Sequence, residues 1–340
     1  MRAIGYVQSL PIDNEQAIYE MNIPVPEMQP HDLLVRIKAV SVNPLDALER
    51  MRRPNAPGNS PVLGWDAAGI VESVGTAVTK FKPGDEVYYS GALNRQGSNA
   101  EIGVVDERVT ALKPKTLPFT EAAAIPLTAI TAWECLFDRL KVAIGKKPCD
   151  DSLMVIGAAG GVGSMAVQLA RRLTNLNIIG TASRPESEQW VRKLGAHHVI
   201  NHTRPLSVEL QAHGLPLPRY ILSMTNTDDH WDEIVASLAP QGEICLIDNA
   251  VGIDVMKLKR KAGALHTEMM FVKVLNQLPD MVQIHRLLTE VAAMIDEGLI
   301  KTTMGENYGP LSVENLRRAH AAIETRRTIG KIVLTGFDGA

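Results

Sequence analysis

The sequence predicts an α/β fold in which a doubly wound parallel sheet is joined to a smaller, strand-rich domain. Three observations carry that expectation. From Ser152 onward, apolar runs of strand length alternate with segments of helical periodicity. Before Thr120 the chain shows many short strand-like runs separated by proline and glycine, the pattern of a small irregular barrel. After Ile156 the glycine-rich turn GAAGGVGS joins an apolar run to an amphipathic segment, as strand, turn and helix.

In chain order, residues 2–8 and 17–21 are expected to pair as strands across a turn at 11–14, and 32–42 alternates as an amphipathic strand. Pro24, Pro26 and Pro30 keep the segment between them extended. Ser41-Val42-Asn43-Pro44 breaks that strand, and a short helix over 45–53 starts at Pro44, because proline suits the first helical position. Asp46 and Arg50 stand four apart on one face and are expected to pair. Beyond PVLGWDAAG at 61–69 come strands at 70–74 and 86–89, the second entered through the turn Lys82-Pro83-Gly84-Asp85, and two more at 100–105 and 110–112. Tyr88 and Tyr89 alternate on their strand, so only one is expected to face the core. Thr120 opens a helix that Pro126 interrupts and that resumes over 127–140.

Within the expected strand 152–157, the run 153–156 is apolar without alternation, as a strand buried on both faces requires. Gly157, Gly160, Gly161 and Gly163 then turn the chain, and Met165, Val167, Leu169 and Ala170 supply the apolar face of a helix. A helix N-terminus offers unpaired N–H groups and partial positive charge, and a pyrophosphate reaches them only where side chains are missing. With Ala158 in the first place, Gly160 and Gly163 complete a dinucleotide spacing, and Gly160, Gly161, Val162 and Gly163 are the expected cofactor contacts. The next strand, 177–182, ends in Gly180-Thr181-Ala182-Ser183-Arg184 with no carboxylate at its tip. A carboxylate there would bind the ribose 2′-hydroxyl of NAD, whereas Ser183 as a donor and Arg184 as a phosphate partner favour NADPH (NADP). Glu186 and Glu188 follow closely and offer Arg184 the plainer role of a paired surface charge. A helix at 186–194, strands at 198–201 and 219–223, a helix at 229–238 and a strand at 243–247 continue the alternation. The tail, with helices near 280–297 and 312–325 and a strand at 331–335, lies outside it and is expected to pack back on the first domain.

A chain of 340 residues suits two domains of ordinary size. With 45% hydrophobic and 21% charged residues and a mean hydropathy of -0.01, its composition is that of a soluble globular protein. A net charge of -3 and a pI near 6.3 give no electrostatic footprint for nucleic acid or an anionic membrane. No apolar run approaches membrane-spanning length and no basic stretch followed by an apolar core opens the chain, so a cytoplasmic location is expected. Cys135, Cys149 and Cys245 cannot build a disulfide framework and lack a CxxC spacing.

Taken together, GWDAAG with Asp66, KPGDEVYY, AAAIPLTAITAW, GAAGGVGSMAVQLAR and the closing GKIVL resemble the medium-chain dehydrogenase/reductase superfamily, over essentially the whole chain and in the family's order. Within it the likeness is to the quinone oxidoreductase-like branch, particularly its zinc-type alcohol dehydrogenase-like proteins. The resemblance implies a GroES-like catalytic domain over 1–126, with 267–340 packing back on it, and a Rossmann domain over 127–266 that binds NADPH. It also implies a homodimer through Rossmann edge strands near 243–253. It places Thr131 of the LTAIT run, Asn249, and Arg326 of ETRRTIGK at the cofactor. Asn43, in the family's S-x-N-P-x-D element, becomes the catalytic hydrogen-bond donor or a nicotinamide-side contact; an asparagine capping the following helix is the alternative.

Zinc-dependent members of this family hold the catalytic metal on a Cys after the long early strand, a His in G-H-E, and a later Cys or acidic residue. The corresponding places here look like Asn43, Trp65 and no thiolate. Tryptophan cannot ligate a metal, and a structural zinc lobe needs four closely spaced cysteines, so no metal ligand is expected. Zinc would polarise a carbonyl; without it, hydride delivery to a quinone or an α,β-unsaturated carbonyl is easier, since the developing charge spreads over a conjugated system. Related reductases carry a tyrosine a few residues past the asparagine, and Leu48 stands there instead, which leaves the proton donor open. The expected function is zinc-independent, NADPH-dependent reduction of a small-molecule quinone or enone, with neither nucleic acid nor membrane as a partner. A zinc alcohol dehydrogenase, and a non-catalytic NADPH-binding sensor or structural protein, are the alternatives.

Overall fold

The computed structural model describes residues 1–52, 62–146 and 149–337. The chain divides into two compact units, Met1–Ile130 with Phe271–Ala340, and Thr131–Met270. Each division lies a few residues past the expected one, and the first falls inside a helix, Pro126–Trp133, that runs through it without a break.

In the first unit β1 (Arg2–Gly5) pairs antiparallel with β2 (Tyr19–Asn22). The long β3 (Asp32–Val42) leads into α1 (Pro44–Arg52); Arg53, its expected last residue, and Pro61 lie outside the described residues. Then come β4 (Asp66–Val74), β5 (Glu86–Ser90), β6 (Ile102–Asp106), β7 (Thr110–Leu112), α2 (Phe119–Ala123) and α3 (Pro126–Trp133). The helical run expected over 127–140 changes pitch after Trp133 and continues as a π-helical stretch, Glu134–Arg139. Tyr88 and Tyr89 are both buried, contrary to the alternation argument, because β5 is covered on both faces. The Tyr88 hydroxyl donates to the Leu288 carbonyl at 2.5 Å, and Tyr89 lies over Gly103, where a Cβ would come within 2.4 Å of its hydroxyl oxygen.

The second unit alternates strand and helix: β8 (Ser152–Ile156), α4 (Gly161–Leu173), β9 (Asn177–Thr181), α5 (Pro185–Lys193), β10 (His198–Ile200), α6 (Leu206–Ala212), β11 (Tyr220–Ser223), α7 (Thr227–Ser237), β12 (Glu243–Leu246) and β13 (Ala264–Thr267). The strands form one parallel sheet in the order β10-β9-β8-β11-β12-β13, reversing direction of travel at β8. That reversal is the doubly wound arrangement, with its switch point beside the glycine-rich turn. Met154, Ile156, Ile179, Ile221 and Ile244 on the strands meet Trp231 and Ile234 of α7, and Leu238 just past its end, in one buried cluster. Each such large side chain contributes about 1.5–3 kcal/mol by leaving water. The edge expected near 243–253 is not one, since β12 is paired on both sides by β11 and β13. Among the described residues β13 is the terminal strand on that side, and neither it nor α6 was legible as a periodic run.

The tail returns to the first unit with α8 (Val272–Leu275), α9 (Val282–Asp296), β14 (Met304–Pro310), α10 (Val313–Glu324) and β15 (Lys331–Thr335). Among the described residues the main sheet of this unit runs β14-β15-β3-β4-β5-β7, with β6 also on β3. β4 pairs along one edge of β3, while β15 and β6 share the other: β15 takes Ala39–Val42 and β6 takes Asp32–Arg36. Register then dictates neighbours. Ser41 stands opposite Asp66 and Val42 opposite Ile332, so the residues at the exit of β3 meet the start of both partner strands. No helix among the described residues is long and apolar enough to cross a membrane.

Candidate functional site

The glycine-rich turn begins at Gly157, whose φ of +75° lies in the left-handed region that favours glycine. Its carbonyl accepts from Gly160 N at 3.1 Å, and its own N–H donates to Thr181 Oγ1 at 3.2 Å. Gly163 sits where a Cβ would lie 2.4 Å from the Gly157 carbonyl, so close approach of helix to turn excludes any side chain. Gly160, the residue capping α4, is different. A Cβ there would meet Gly157 O at 3.4 Å, an ordinary contact, and as a glycine the capping residue has no side chain to bond the first amides of the helix. Packing therefore does not demand glycine at 160, whereas an anion approaching those amides does. Gly161 and Val162 form the first turn of α4 beside it. The residues present thus fit the pyrophosphate of a dinucleotide.

At the end of β9, Ser183 is exposed and Arg184 half-buried at the start of α5. The Arg184 backbone is pinned by Ser187, whose hydroxyl accepts from Arg184 N at 3.2 Å and donates to Arg184 O at 2.8 Å. Glu188 is taken by Arg192 at 2.8 Å. At the ends of β12 and β13 a cavity of about 300 Å³ is lined by Asp248, Asn249, Ile253, Thr267 and Glu268 among others. Asp248 is fixed in place by Thr227, which gives it a backbone N–H at 2.9 Å and its hydroxyl at 2.6 Å. Thr131 is buried on α3. Ser183 and Arg184 after β9, and the cavity residues after β12 and at the end of β13, lie at the C-terminal edge of the parallel sheet, where a doubly wound fold takes its ligand. Arg326 belongs to the other unit; it is exposed, with φ of +56°, just past α10.

The first unit holds a buried polar cluster that sequence reading resolved only in part. Asp66 Oδ2 accepts from Ser41 Oγ at 2.9 Å, from Asn43 Nδ2 at 2.9 Å and from Lys331 Nζ at 3.1 Å, while Oδ1 accepts the Leu127 amide at 2.7 Å at the start of α3. Lys331 also donates to Val42 O at 2.9 Å and to Asn43 Oδ1. Asn43 is 2% exposed with both ends of its amide engaged, so its side chain is a structural link rather than a donor presented to substrate, which corrects the first expectation for it. Asp46 does not pair with Arg50. It turns back to accept Asn43 N at 2.7 Å, and Arg50, fully buried, reaches Leu10 O and Glu324. Burial raises the Asp46 carboxyl to about 7, against the opposing pull of the Asn43 amide. Burial also lowers the Lys331 ammonium, with Asp66 acting the other way. Lys331 was missed because a lysine in a closing strand reads as an edge charge; only the register of β15 on β3 turns it inward.

Residues 29–115 match the family model described as the alcohol dehydrogenase GroES-like domain, and residues 194–334 the one described as zinc-binding dehydrogenase. A zinc-type alcohol dehydrogenase-like protein of Staphylococcus aureus (strain MRSA252) is 38% identical over 344 residues, covering 98% of this chain and 99% of its own. The chain belongs to the medium-chain dehydrogenase/reductase superfamily. Its two units are accordingly the superfamily's GroES-like and Rossmann domains, and the superfamily binds a nicotinamide cofactor. A solved structure from Rhizobium etli CFN 42, which carries the name of a zinc-dependent alcohol dehydrogenase protein, is 47% identical with a TM-score of 0.95, covering 99% of this chain and 98% of that one. An NADPH-dependent alkenal/one oxidoreductase of Arabidopsis thaliana is 31% identical over 326 residues, covering 93% of this chain and 75% of its own.

The zinc in those medium-chain dehydrogenase/reductase names does not fit the residues here. Asn43 is committed to Asp66 and Lys331, and Trp65, 2% exposed, points its indole N–H at Ala92 O at 3.3 Å. Among the described residues no three His, Cys, Asp or Glu side chains come together to hold a metal ion, and the rest of the chain adds only Asp338 to those types.

Proposed function

We propose that this protein is a zinc-independent, NADPH-dependent reductase of quinones or α,β-unsaturated carbonyl compounds. The observation that carries the reading is the occupancy of the metal-ligand places by Asn43 and Trp65, whose polar atoms are bound within their own unit. Without a Lewis acid, a site of hydrogen-bond donors suits acceptors that spread charge over a conjugated system. When bound, the coenzyme supplies a hydride. The chain supplies the rest: the amides at Gly160–Gly163 bind the pyrophosphate, Ser183 and Arg184 select the 2′-phosphate, and Asn249 lines the far end of the coenzyme groove. Orientation and exclusion of water are the main catalytic contributions of such a site. Leu48 stands where a tyrosine donor would, so the final proton does not come from a tyrosine at that place.

NADPH consumption with 1,4-benzoquinone, 9,10-phenanthrenequinone and short enones tests this, with NADH and Arg184→Ala alongside. Turnover with NADPH, weak use of NADH and a loss in the variant support the reading. One zinc per chain with activity lost to a chelator would replace it by alcohol dehydrogenase chemistry, and NADPH binding without any consumption would replace it by a sensor role. Assembly as a homodimer is proposed through the outer edge of β13, which pairs only with β12 among the described residues. Light scattering reads the mass directly.

A further inference from the structure

The cavity at the ends of β12 and β13 holds a carboxylate whose hydrogen bonding is half complete. Glu268, one residue past β13, is fully buried at its side chain, and its Oε2 accepts from Arg139 Nε at 2.6 Å. Its backbone is fixed as well, since Glu268 N donates to Leu246 O at 2.9 Å and extends the pairing of β13 on β12. Oε1 has no hydrogen-bond partner among the described residues. A buried acceptor of a charged group left without a donor is destabilising, and folded chains rarely keep one. Arg139 comes from the π-helical stretch Glu134–Arg139, a departure from α pitch that recurs at functional sites.

The other polar residues of the cavity are engaged or exposed. Asp248 accepts the Thr227 amide on one oxygen and the Thr227 hydroxyl on the other, while Asn249 and Thr267 are exposed. The rest of the wall is apolar: Leu246, Ile247, Ala250, Ile253, Leu265 and Met269. All of these residues, and Arg139, belong to the second unit. An apolar cavity of about 300 Å³ with one acceptor left open suits a flat ring that carries an N–H donor. In a doubly wound sheet whose pyrophosphate turn follows β8 and whose adenosine side lies toward β9, the β11–β13 half takes the other nucleotide. In a nicotinamide coenzyme that nucleotide ends in a flat ring bearing a carboxamide.

We propose that Glu268 positions the coenzyme ring: Oε1 accepts the amide NH₂ of the nicotinamide carboxamide while Arg139 holds Oε2. This rests on the reading that the chain binds a nicotinamide coenzyme, and not on the choice between NADPH and NADH. A carboxylate takes a donor and refuses an acceptor, so the carboxamide enters in one rotation only. The ring that carries it is then fixed, and with it the face turned to the substrate. The glycine-rich turn cannot do this, because the pyrophosphate lies several bonds away and leaves the ring free to rotate on its sugar. A lone acidic residue after a half-exposed strand gives no sign of such a role in the sequence; its pairing with Arg139, 129 positions away, does.

The experiment compares each coenzyme with its acetylpyridine analogue, in which a methyl replaces the amide NH₂. Dissociation constants of the full chain are measured by calorimetry for NADP⁺, NAD⁺ and the two analogues, in wild type and in Glu268→Gln. Wild type should bind the amide about tenfold or more tightly than the acetyl compound (~1.4 kcal/mol). In Glu268→Gln, Arg139 claims the one remaining oxygen and an NH₂ faces the ring, so the ratio should fall to within about twofold of unity (about 0.4 kcal/mol). A wild type that does not discriminate overturns the inference. So does a ratio that Glu268→Gln leaves unchanged, which would make the carboxylate a structural partner of Arg139 and nothing more. Should circular dichroism show that Glu268→Gln does not fold, Arg139→Lys carries the test, since it lacks the Nε donor that fixes Oε2. Its ratio should narrow about threefold or more (~0.65 kcal/mol), and an unchanged ratio overturns the inference. Equal affinity for NADP⁺ and NAD⁺ would end the 2′-phosphate reading alone, because each ratio is taken within one series. Failure of all four compounds to bind overturns both.

Discussion

Lys331 Nζ lies 3.1 Å from Asp66 Oδ2, joining two residues that stand 265 apart in the chain and are 3% and 0% exposed at their side chains. A buried ion pair of this kind offsets a large desolvation cost only because Ser41, Asn43 and the Leu127 amide complete the shell of the carboxylate. The pair ties β15, β4 and the start of α3 to one point.

Removing the cation should therefore be costly. Lys331→Met leaves Asp66 buried and uncompensated, and is expected to lower stability by about 3–5 kcal/mol in urea unfolding. Combining it with Asp66→Asn should recover part of the loss, because a neutral amide needs no counter-charge. A single variant as stable as wild type would show that the pair contributes nothing.

Asn43→Ala separates a structural from a catalytic asparagine. Both ends of the amide are engaged, so truncation should cost about 1–3 kcal/mol of stability by leaving Asp66 and Lys331 short of a partner. Coenzyme affinity, read by fluorescence quenching, should stay within twofold, the range of a mere packing change (about 0.4 kcal/mol). Full stability with turnover reduced a hundredfold would return Asn43 to the chemistry (~2.7 kcal/mol).

His320 gives the acid limb of the stability curve. The ring is fully buried on α10, neither nitrogen has a hydrogen-bond partner among the described residues, and burial beside Arg50 lowers it from 6.5 to about 3. Above pH 6.5 the ring is neutral whether the chain is folded or not. Between 6.5 and 3 the unfolded chain binds a proton that the folded one refuses, so stability is lost as pH falls, by roughly 4 kcal/mol at the end of that window. Asp46 opposes it: its folded form keeps a proton from 3.8 up to about 7, so that contribution is lost as pH rises. Subtracting His320→Leu from wild type isolates the histidine, and the urea midpoint of the variant should fall less between pH 6.5 and 4.5. Parallel curves would refute the assignment.

Two glycines in one turn should fail in different ways. Gly163→Ala places a methyl 2.4 Å from Gly157 O and is expected to lower the unfolding temperature of the chain. Gly160→Ala meets only an ordinary contact at 3.4 Å, so the unfolding temperature should hold while NADPH affinity drops about tenfold or more (~1.4 kcal/mol). Loss of stability without loss of binding at Gly160 would mean that the turn does not seat the pyrophosphate.

Local pattern was enough for the parallel sheet, because a strand buried on both faces must be apolar through its interior, and Leu153–Ile156 is. It was also enough for β3 and β7, whose expected spans match the observed ones, and for the glycine-rich turn between β8 and α4. β13 and β14 escaped for the opposite reason. Both are half-exposed and short of apolar residues, and their strand character comes from pairing with β12 and β15.

By itself, then, the order of residues determined the class of fold, the glycine turn and the absence of a carboxylate at the tip of β9, all of which depend on neighbours a few positions away. Only the tertiary structure decided what the charged and polar side chains do. Asn43, Asp46, Arg50, Asp66 and Lys331 could each have paired locally or faced water, and strand register chose instead to bury them against one another. His202 and His230 likewise meet only because β10 and α7 border the same end of a sheet. Periodicity along a chain reports which face a residue turns; it carries no information on which distant group will be there to meet it.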